Sequence, residues 1–296
     1  MSDNRKKRAV LALGYFDSVH VGHQAVIGNA VKIAKELCAI TVVVSFEGNL
    51  RAIFSDGQER TVFNALERKQ FITSLGVDEI FFAPVSKEFL SMDKNEFIDF
   101  LNNKYEVLCY VSGEDYKFGK FGKGTVADLK EYAAIHAQNC ITVSTENYDF
   151  KRISTTAVKH YLTNGDISTA NNLLGRKYSI TGVVFSDRKV GGLIGFPTIN
   201  IKIDSDRHRL KDGVYSGTII INEKTYKAVI NYGARPTFDL NEKLVEAHIL
   251  DFEGELYGQK VTLFFDGFLR DVVKFDDVEA LKDQIKKDIQ KVRETL

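Results

Sequence analysis

The chain has 296 residues, 44% of them hydrophobic, a length that suggests two domains, each with enough apolar side chains to bury a core. Its 40 basic residues balance 40 acidic ones, which excludes a general electrostatic pull toward nucleic acid or an anionic membrane; any phosphate binding has to be local. Three widely spaced cysteines, Cys38, Cys109 and Cys140, form no CxxC pair, which argues against a disulfide framework or a zinc site and reads as reduced core thiols.

The first apolar run, Ala9–Leu13, is too short for a signal peptide or a membrane span, so a soluble cytoplasmic chain is expected. Further runs follow at Ile40–Phe46, Glu79–Ala83, Val107–Val111 and Ile141–Ser144. They are rich in Val, Ile and Phe with little polar alternation, the pattern of strands buried on both faces in a parallel sheet. Helical periods separate them: Val26, Ala30, Ala34 and Leu37; then Leu66, Phe71 and Leu75 before Gly76; then Phe97, Phe100 and Leu101 after Ser91-Met92-Asp93. This alternation predicts an open, doubly wound α/β sheet.

A polar, strand-poor stretch, Glu146–Ser154, leads into two short helices, Thr155–Leu162 and Ile167–Leu174. From Tyr178 the pattern turns to β: Tyr178–Phe185, Thr198–Ile203, Gly213–Ile221, Thr225–Asn231, Lys243–Leu250 and Gln259–Phe268. Six short antiparallel strands without intervening helices predict a small closed barrel. Val278, Leu281, Ile285, Ile289 and Val292 make the apolar stripe of a last helix, with a capping-box-like start at Asp276 and Glu279. The domains are drawn at 1–170 and 171–296.

Gly14 to His23 spans the turn between the first strand and the first helix, where phosphates dock in an open α/β sheet. The helix N-terminus offers N–H groups and partial positive charge; His20 and His23 add donors, and Gly14 and Gly22 let the backbone come close. The spacing is not GxGxxG, which removes the main support for a nicotinamide cofactor. Two incidental histidines in a polar loop is the competing reading.

Gly195-Phe196-Pro197-Thr198-Ile199-Asn200 opens a strand on which Thr198 and Asn200, two apart, point the same way. A hydroxyl and an amide oxygen are hard ligands suited to Mg²⁺ carrying ATP phosphates. Gly191, Gly192 and Gly195 form a loop able to close over phosphate. Glu246, among apolar neighbours, is a candidate general base for a primary hydroxyl. Taken singly, these pieces also read as a turn entering a strand and as a solvated glutamate, and His248 reads as structural.

These motifs carry a resemblance. His20-Val21-Gly22-His23 resembles the HxGH signature of the nucleotidyltransferase superfamily, and Gly14–His23 as a whole resembles the opening of the bacterial bifunctional riboflavin kinase/FAD synthetase family. Gly113-Glu114-Asp115-Tyr116-Lys117-Phe118-Gly119 resembles the family's G-x-[DN]-[FY]-x-F-G, and Ile153-Ser154-Thr155-Thr156-Ala157-Val158-Lys159 its I-S-S-T-x-[IV]-R, which alone also reads as a Ser-capped helix. The barrel half matches L-G-R-x-Y at Leu174, P-T-x-N at Pro197, N-x-G-x-[RN]-P-T-F at Asn231 with Arg235, V-E-x-H at Val245 and D-F-x-x-D-L-Y-G at Asp251. The chain departs from the family at Ser18, usually glycine, and at Lys159, usually arginine. It also lacks the T-F-[ED]-P-H-P stretch, having Ser45-Phe46-Glu47-Gly48-Asn49-Leu50 instead.

The resemblance implies a Rossmann-like nucleotidyltransferase domain followed by a riboflavin kinase barrel. It implies riboflavin, FMN and ATP as substrates, Mg²⁺ accompanying ATP, and no nucleic-acid or membrane partner. Thr198 and Asn200 are expected at the metal, and Glu246 as the base. His20, His23, Gly14, Phe16, Asp17, Ser154, Thr155 and Lys159 are expected around the adenylyl-transfer phosphates, with Asp115 near that nucleotide; Gly195 and Arg235 are expected at the kinase site. A kinase with a degenerate adenylyltransferase half and a non-catalytic flavin sensor are the competing functions. The altered motifs favour the former; the intact metal pair and Glu246 oppose the latter.

Overall fold

The computed structural model describes residues 5–48, 59–144, 147–148, 151–185, 194–234 and 243–294. They form two compact units, residues 1–155 and 156–296. Residues 156–170, drawn with the sheet from sequence, group with the barrel in this division.

The first unit is built on strands β1 (Arg8–Leu13), β2 (Ile40–Phe46), β3 (Glu79–Ala83) and β4 (Glu106–Gly113). Two short strands, β5 (Lys117–Phe118) and β6 (Gly124–Thr125), form a hairpin, and β7 (Asn139–Val143) completes the sheet. The sheet is parallel in the order β3-β2-β1-β4-β7. The alternation along β1 shows why both faces are covered. Ala9, Leu11 and Leu13 share a core with Phe97, Leu101, Leu129 and Ala133; Val10 and Ala12 share the opposite one with Val26, Ile27, Ala30, Ala34 and Ile72.

Helices α1 (Val21–Glu36) and α2 (Ala65–Ser74) thus cover one face. After the short α3 (Lys87–Ser91), α4 (Lys94–Lys104) and α5 (Val126–Ile135) cover the other. Burying each such Leu, Val or Phe side chain contributes about 1.5–3 kcal/mol, so the apolar runs drive the sheet. Asn64 with Glu67, Asp93 with Glu96, and Thr125 with Asp128 close capping boxes at α2, α4 and α5. Gly76, at φ +86°, ends α2 as its C-terminal glycine.

Three local expectations change. Helix α5 was not anticipated, although its Thr125-x-x-Asp128 box is visible in sequence. The polar stretch after the sheet pairs briefly as β8 (Asn147–Tyr148) and β9 (Lys151–Arg152). Cys38 is exposed in a left-handed turn just past α1, not in the core, because Leu37 already caps that helix. Cys109 is buried, and that burial pushes its thiol up to about 11.

After α6 (Thr155–Asn164) comes α7 (Ile167–Leu174), which ends at Gly175 in the left-handed conformation. The barrel then closes through β10 (Tyr178–Phe185), β11 (Ile199–Lys202), β12 (Gly213–Ile221), β13 (Lys224–Ala234), β14 (Lys243–Ile249) and β15 (Lys260–Arg270). Its order is β10-β11-β14-β13-β12-β15, antiparallel throughout. Ile180, Tyr215, Ile219, Ile230, Val245, Ala247, Leu263 and Phe265 are buried. At Gly217 a Cβ would lie 2.3 Å from the Phe264 carbonyl, so only glycine permits the β12–β15 approach there.

The terminal α8 (Val278–Glu294) is anchored by Asp288, which takes a bidentate pair of bonds from Arg270 at 2.8–3.1 Å. Its N-terminus is capped one residue later than expected: Asp277 Oδ1, rather than Asp276, accepts from the Ala280 N–H at 2.8 Å. No helix among the described residues is long and apolar enough to cross a membrane.

Candidate functional site

In the β3-β2-β1-β4-β7 order the winding of this parallel sheet switches sides between β1 and β4, and the Gly14–His20 loop leaves β1 there. The loop is stapled from several sides. The Gly14 N–H donates to the Val44 carbonyl at 3.2 Å, Ser45 Oγ donates to the Tyr15 carbonyl at 2.7 Å, and the Val62 N–H donates to Asp17 Oδ1 at 2.9 Å. Phe16 and Val19 lie at φ +49° and +44°. Left-handed backbone at an aromatic and at a β-branched residue costs about 1–3 kcal/mol each, so the surrounding packing imposes the loop's shape. A Cβ on Gly14 would fall 2.6 Å from the Phe16 ring.

His20 is the N-cap of α1; its Nδ1 accepts from the His23 N–H at 3.2 Å. An accepting Nδ1 puts the neutral ring's proton on Nε2, which makes that atom a donor. The His23 ring stacks on His20 at 3.6 Å between centroids and meets the Phe16 edge at 5.3 Å. The two imidazoles are therefore one rigid pair at a helix N-terminus with no acidic side chain in its first turn, an arrangement suited to an anion. Phe16 and Asp17, expected among the nucleotide contacts, are both buried at 2% exposure and act as the loop's packing and staple.

Arg68 is the residue sequence reasoning missed. It lies on α2 three and four positions before Phe71 and Ile72, so a cation occupies the apolar face; that misplaced charge was the available signal. It is 1% exposed, and its guanidinium donates to the carbonyls of Tyr15 (3.1 Å), Phe46 (2.7 Å) and Glu47 (3.2 Å). It therefore ties the loop after β1 to the end of β2. Burial lowers its pKa from the ordinary arginine value, a pull opposed by Tyr15 and Asp17.

Ser154 and Thr155 adjoin the start of α6, and Ser18 Oγ lies 3.1 Å from Thr155 Oγ1. Lys159, one turn on, is half-buried; its carbonyl accepts from Thr163 Oγ1 at 2.9 Å. Asp115, just beyond β4, forms a surface ion pair with Arg152 at 2.7 Å. Such an exposed pair is worth at most about 1 kcal/mol, so it leaves Asp115 available to a ligand at little cost.

In the barrel, Thr198 Oγ1 donates to Glu246 Oε1 at 2.8 Å. Asn200 on β11 stands directly opposite Glu246 on β14, and cross-strand partners share a face. Val245 and Ala247 are fully buried, so Glu246 projects from the opposite side of β14. His248 Nδ1 lies 2.8 Å from the Pro197 carbonyl, and its ring meets the Phe196 edge at 5.8 Å, a structural role that holds the Pro197-Thr198 turn. Gly195 takes φ +92°, a backbone shape that favours glycine. Arg235 lies outside the described residues, as do Gly191 and Gly192.

The donor set fits a hard cation. Thr198 directs its proton to the carboxylate and turns oxygen lone pairs elsewhere, and Asn200 adds an amide oxygen on the same face.

Two family models match the chain, FAD synthetase over residues 2–157 and riboflavin kinase over 174–296. A bifunctional riboflavin kinase/FMN adenylyltransferase of Listeria monocytogenes is 34% identical over 287 residues, covering 96% of this chain and 91% of its own. The protein of the same name from Bacillus subtilis is 33% identical over 288 residues, with the same coverage. Among solved structures, one described as a macrolide-efflux protein from Streptococcus pneumoniae is similar with a TM-score of 0.89 at 30% identity, covering 100% of this chain and 96% of its own. With both family models in series and identity of this order across almost the full length, the chain belongs to the bifunctional riboflavin kinase/FMN adenylyltransferase family.

Proposed function

We propose that the chain performs two successive transfers from ATP: the barrel phosphorylates riboflavin to FMN, and the sheet unit joins FMN to AMP, giving FAD and pyrophosphate. The observation that carries the reading is the 2.8 Å bond from Thr198 to Glu246 with Asn200 in register beside it. It supports reading Glu246 as a base beside two oxygen donors suited to a cation.

In the first reaction Glu246 takes the proton of the ribityl hydroxyl as its oxygen bonds to the γ-phosphorus and ADP leaves. Thr198 fixes the carboxylate's orientation. Mg²⁺ held by Thr198 and Asn200 would neutralise phosphate charge as ADP departs. Gly195 lets the backbone approach the same nucleotide closely.

In the second reaction the FMN phosphate oxygen bonds to the α-phosphorus and pyrophosphate leaves. His20 Nε2, His23 and the α1 N-terminus hold the phosphates and stabilise the leaving charge. Gly14 allows close approach, with Phe16 and Asp17 shaping the loop. Ser154, Thr155 and Lys159 add phosphate contacts, and Asp115 adds one near the nucleotide. Residues 1–170 serve this step and 171–296 the kinase step, in a cytoplasmic enzyme without a nucleic-acid partner.

Macrolide efflux, the role in the name of the pneumococcal relative, gains no support from these residues, which fit phosphate chemistry. The test is to incubate the purified protein with riboflavin, ATP and Mg²⁺ and to separate the flavins. FMN followed by FAD is expected. FMN alone would leave a kinase with a degenerate sheet domain, and no conversion would leave a flavin sensor.

A further inference from the structure

Ser18, in the loop after β1, and Thr155, at the start of α6, are 137 positions apart in sequence and touch in the fold. Their hydroxyl oxygens are 3.1 Å apart; Ser18 is fully buried and Thr155 is 8% exposed. Ser18 is held on both sides, by Asp17 with its staple to the Val62 N–H and by Val19 at φ +44°. Its side chain is thus placed by the loop and shielded from solvent.

A hydroxyl carries one proton and accepts through two lone pairs, so of two hydroxyls in contact only one can donate to the other. Thr155 alone has any exposed surface, so the outward-directed proton is assigned to it. We propose that Ser18 donates to Thr155 Oγ1 and thereby orients and polarises the Thr155 hydroxyl as a donor to a phosphate oxygen of the ATP consumed in adenylyl transfer. Ser18 is a positioning residue; Thr155 makes the contact. Accepting one bond strengthens a hydroxyl as donor to the next. The inference rests on the reading of residues 154–155 as a phosphate contact, and it adds a chain-specific determinant of ATP affinity that couples the cradle loop to that segment.

The experiment is steady-state kinetics of FMN conversion to FAD at varied ATP, with riboflavin phosphorylation as internal reference. Ser18→Ala is expected to raise KM for ATP about three- to tenfold, the range of one lost hydrogen bond, with kcat little altered and riboflavin phosphorylation unchanged. Thr155→Val raises KM at least as much, and the double variant rises no further than Thr155→Val alone. Thr155→Ser, which keeps the hydroxyl, restores near-native KM. Should Ser18→Ala fold poorly, Ser18→Gly, the usual residue of the family, gives the same comparison.

Unchanged KM in both Ser18 variants, or additive effects in the double variant, overturns the relay. Thr155→Val separates the claims. A raised KM there with native KM in Ser18→Ala removes the relay alone, whereas native KM in Thr155→Val removes the phosphate reading of residues 154–155 beneath it.

Discussion

The Thr198 hydroxyl, just ahead of β11, bonds Glu246 Oε1 on β14 at 2.8 Å, although 48 residues separate the two in sequence. The bond fixes the carboxylate's direction. Replacing Glu246 with Gln keeps the shape and removes the base. Riboflavin phosphorylation should fall at least about a hundredfold, the usual contribution of a positioned base, while FMN adenylylation persists. Undiminished kinase turnover, followed by flavin chromatography, would reject Glu246 as the base.

The stacked imidazoles of His20 and His23 make the complementary prediction. Removing one anion donor from a preorganised site costs about 10²–10³ in rate. His23→Ala should lower FAD formation by that order and spare the kinase reaction. A native FAD yield from FMN and ATP would mean that the pair is structural.

Arg68 ties three carbonyls from two loops. Arg68→Met fills similar space but leaves those carbonyls without their donor, each buried loss costing about 1–3 kcal/mol. The expected result is a lower unfolding midpoint in urea together with weakened FAD formation. Native values of both would show that water replaces the guanidinium.

Asp288 is 1% exposed and bidentate to Arg270. Breaking a buried pair by removing one partner's charge costs about 3–5 kcal/mol. Asp288→Asn should therefore destabilise the barrel unit, read as an earlier urea transition, while the sheet unit's transition stays in place. An unshifted barrel transition would place the anchoring of α8 elsewhere.

Gly14 admits no side chain without moving Phe16, whose ring would sit 2.6 Å from the added Cβ. Gly14→Ala should displace the cradle loop and reduce FAD formation more than tenfold, with FMN formation unchanged. Equal FAD yields from variant and native protein would show that the Phe16 ring yields freely.

Much of this was legible in sequence because it depends on local pattern. The apolar runs at 40–46 and 79–83 are strands at the expected bounds, since uninterrupted Val, Ile and Phe can be buried only in a sheet covered on both faces. The HxGH motif falls at the N-terminus of α1, and Thr198 and Asn200 come beside Glu246. Helix α5 and the Asp277 cap were missed or displaced because several Asp and Thr residues compete at each boundary, and only backbone geometry selects one.

By itself the sequence determined the main strands and most of the helices, where the two polar constellations fall, and the family to which both halves are similar, because periodicity, motif spacing and capping chemistry are short-range properties. The tertiary structure alone decided that Arg68 is the buried tie of the cradle and that Phe16 and Asp17 face the interior. It also decided that Glu246 meets Thr198 and that Ser18 meets Thr155. These pairings join residues 48 to 137 positions apart, and chain closure over such distances is fixed by packing and hydrogen-bond satisfaction across the whole unit rather than by any local preference.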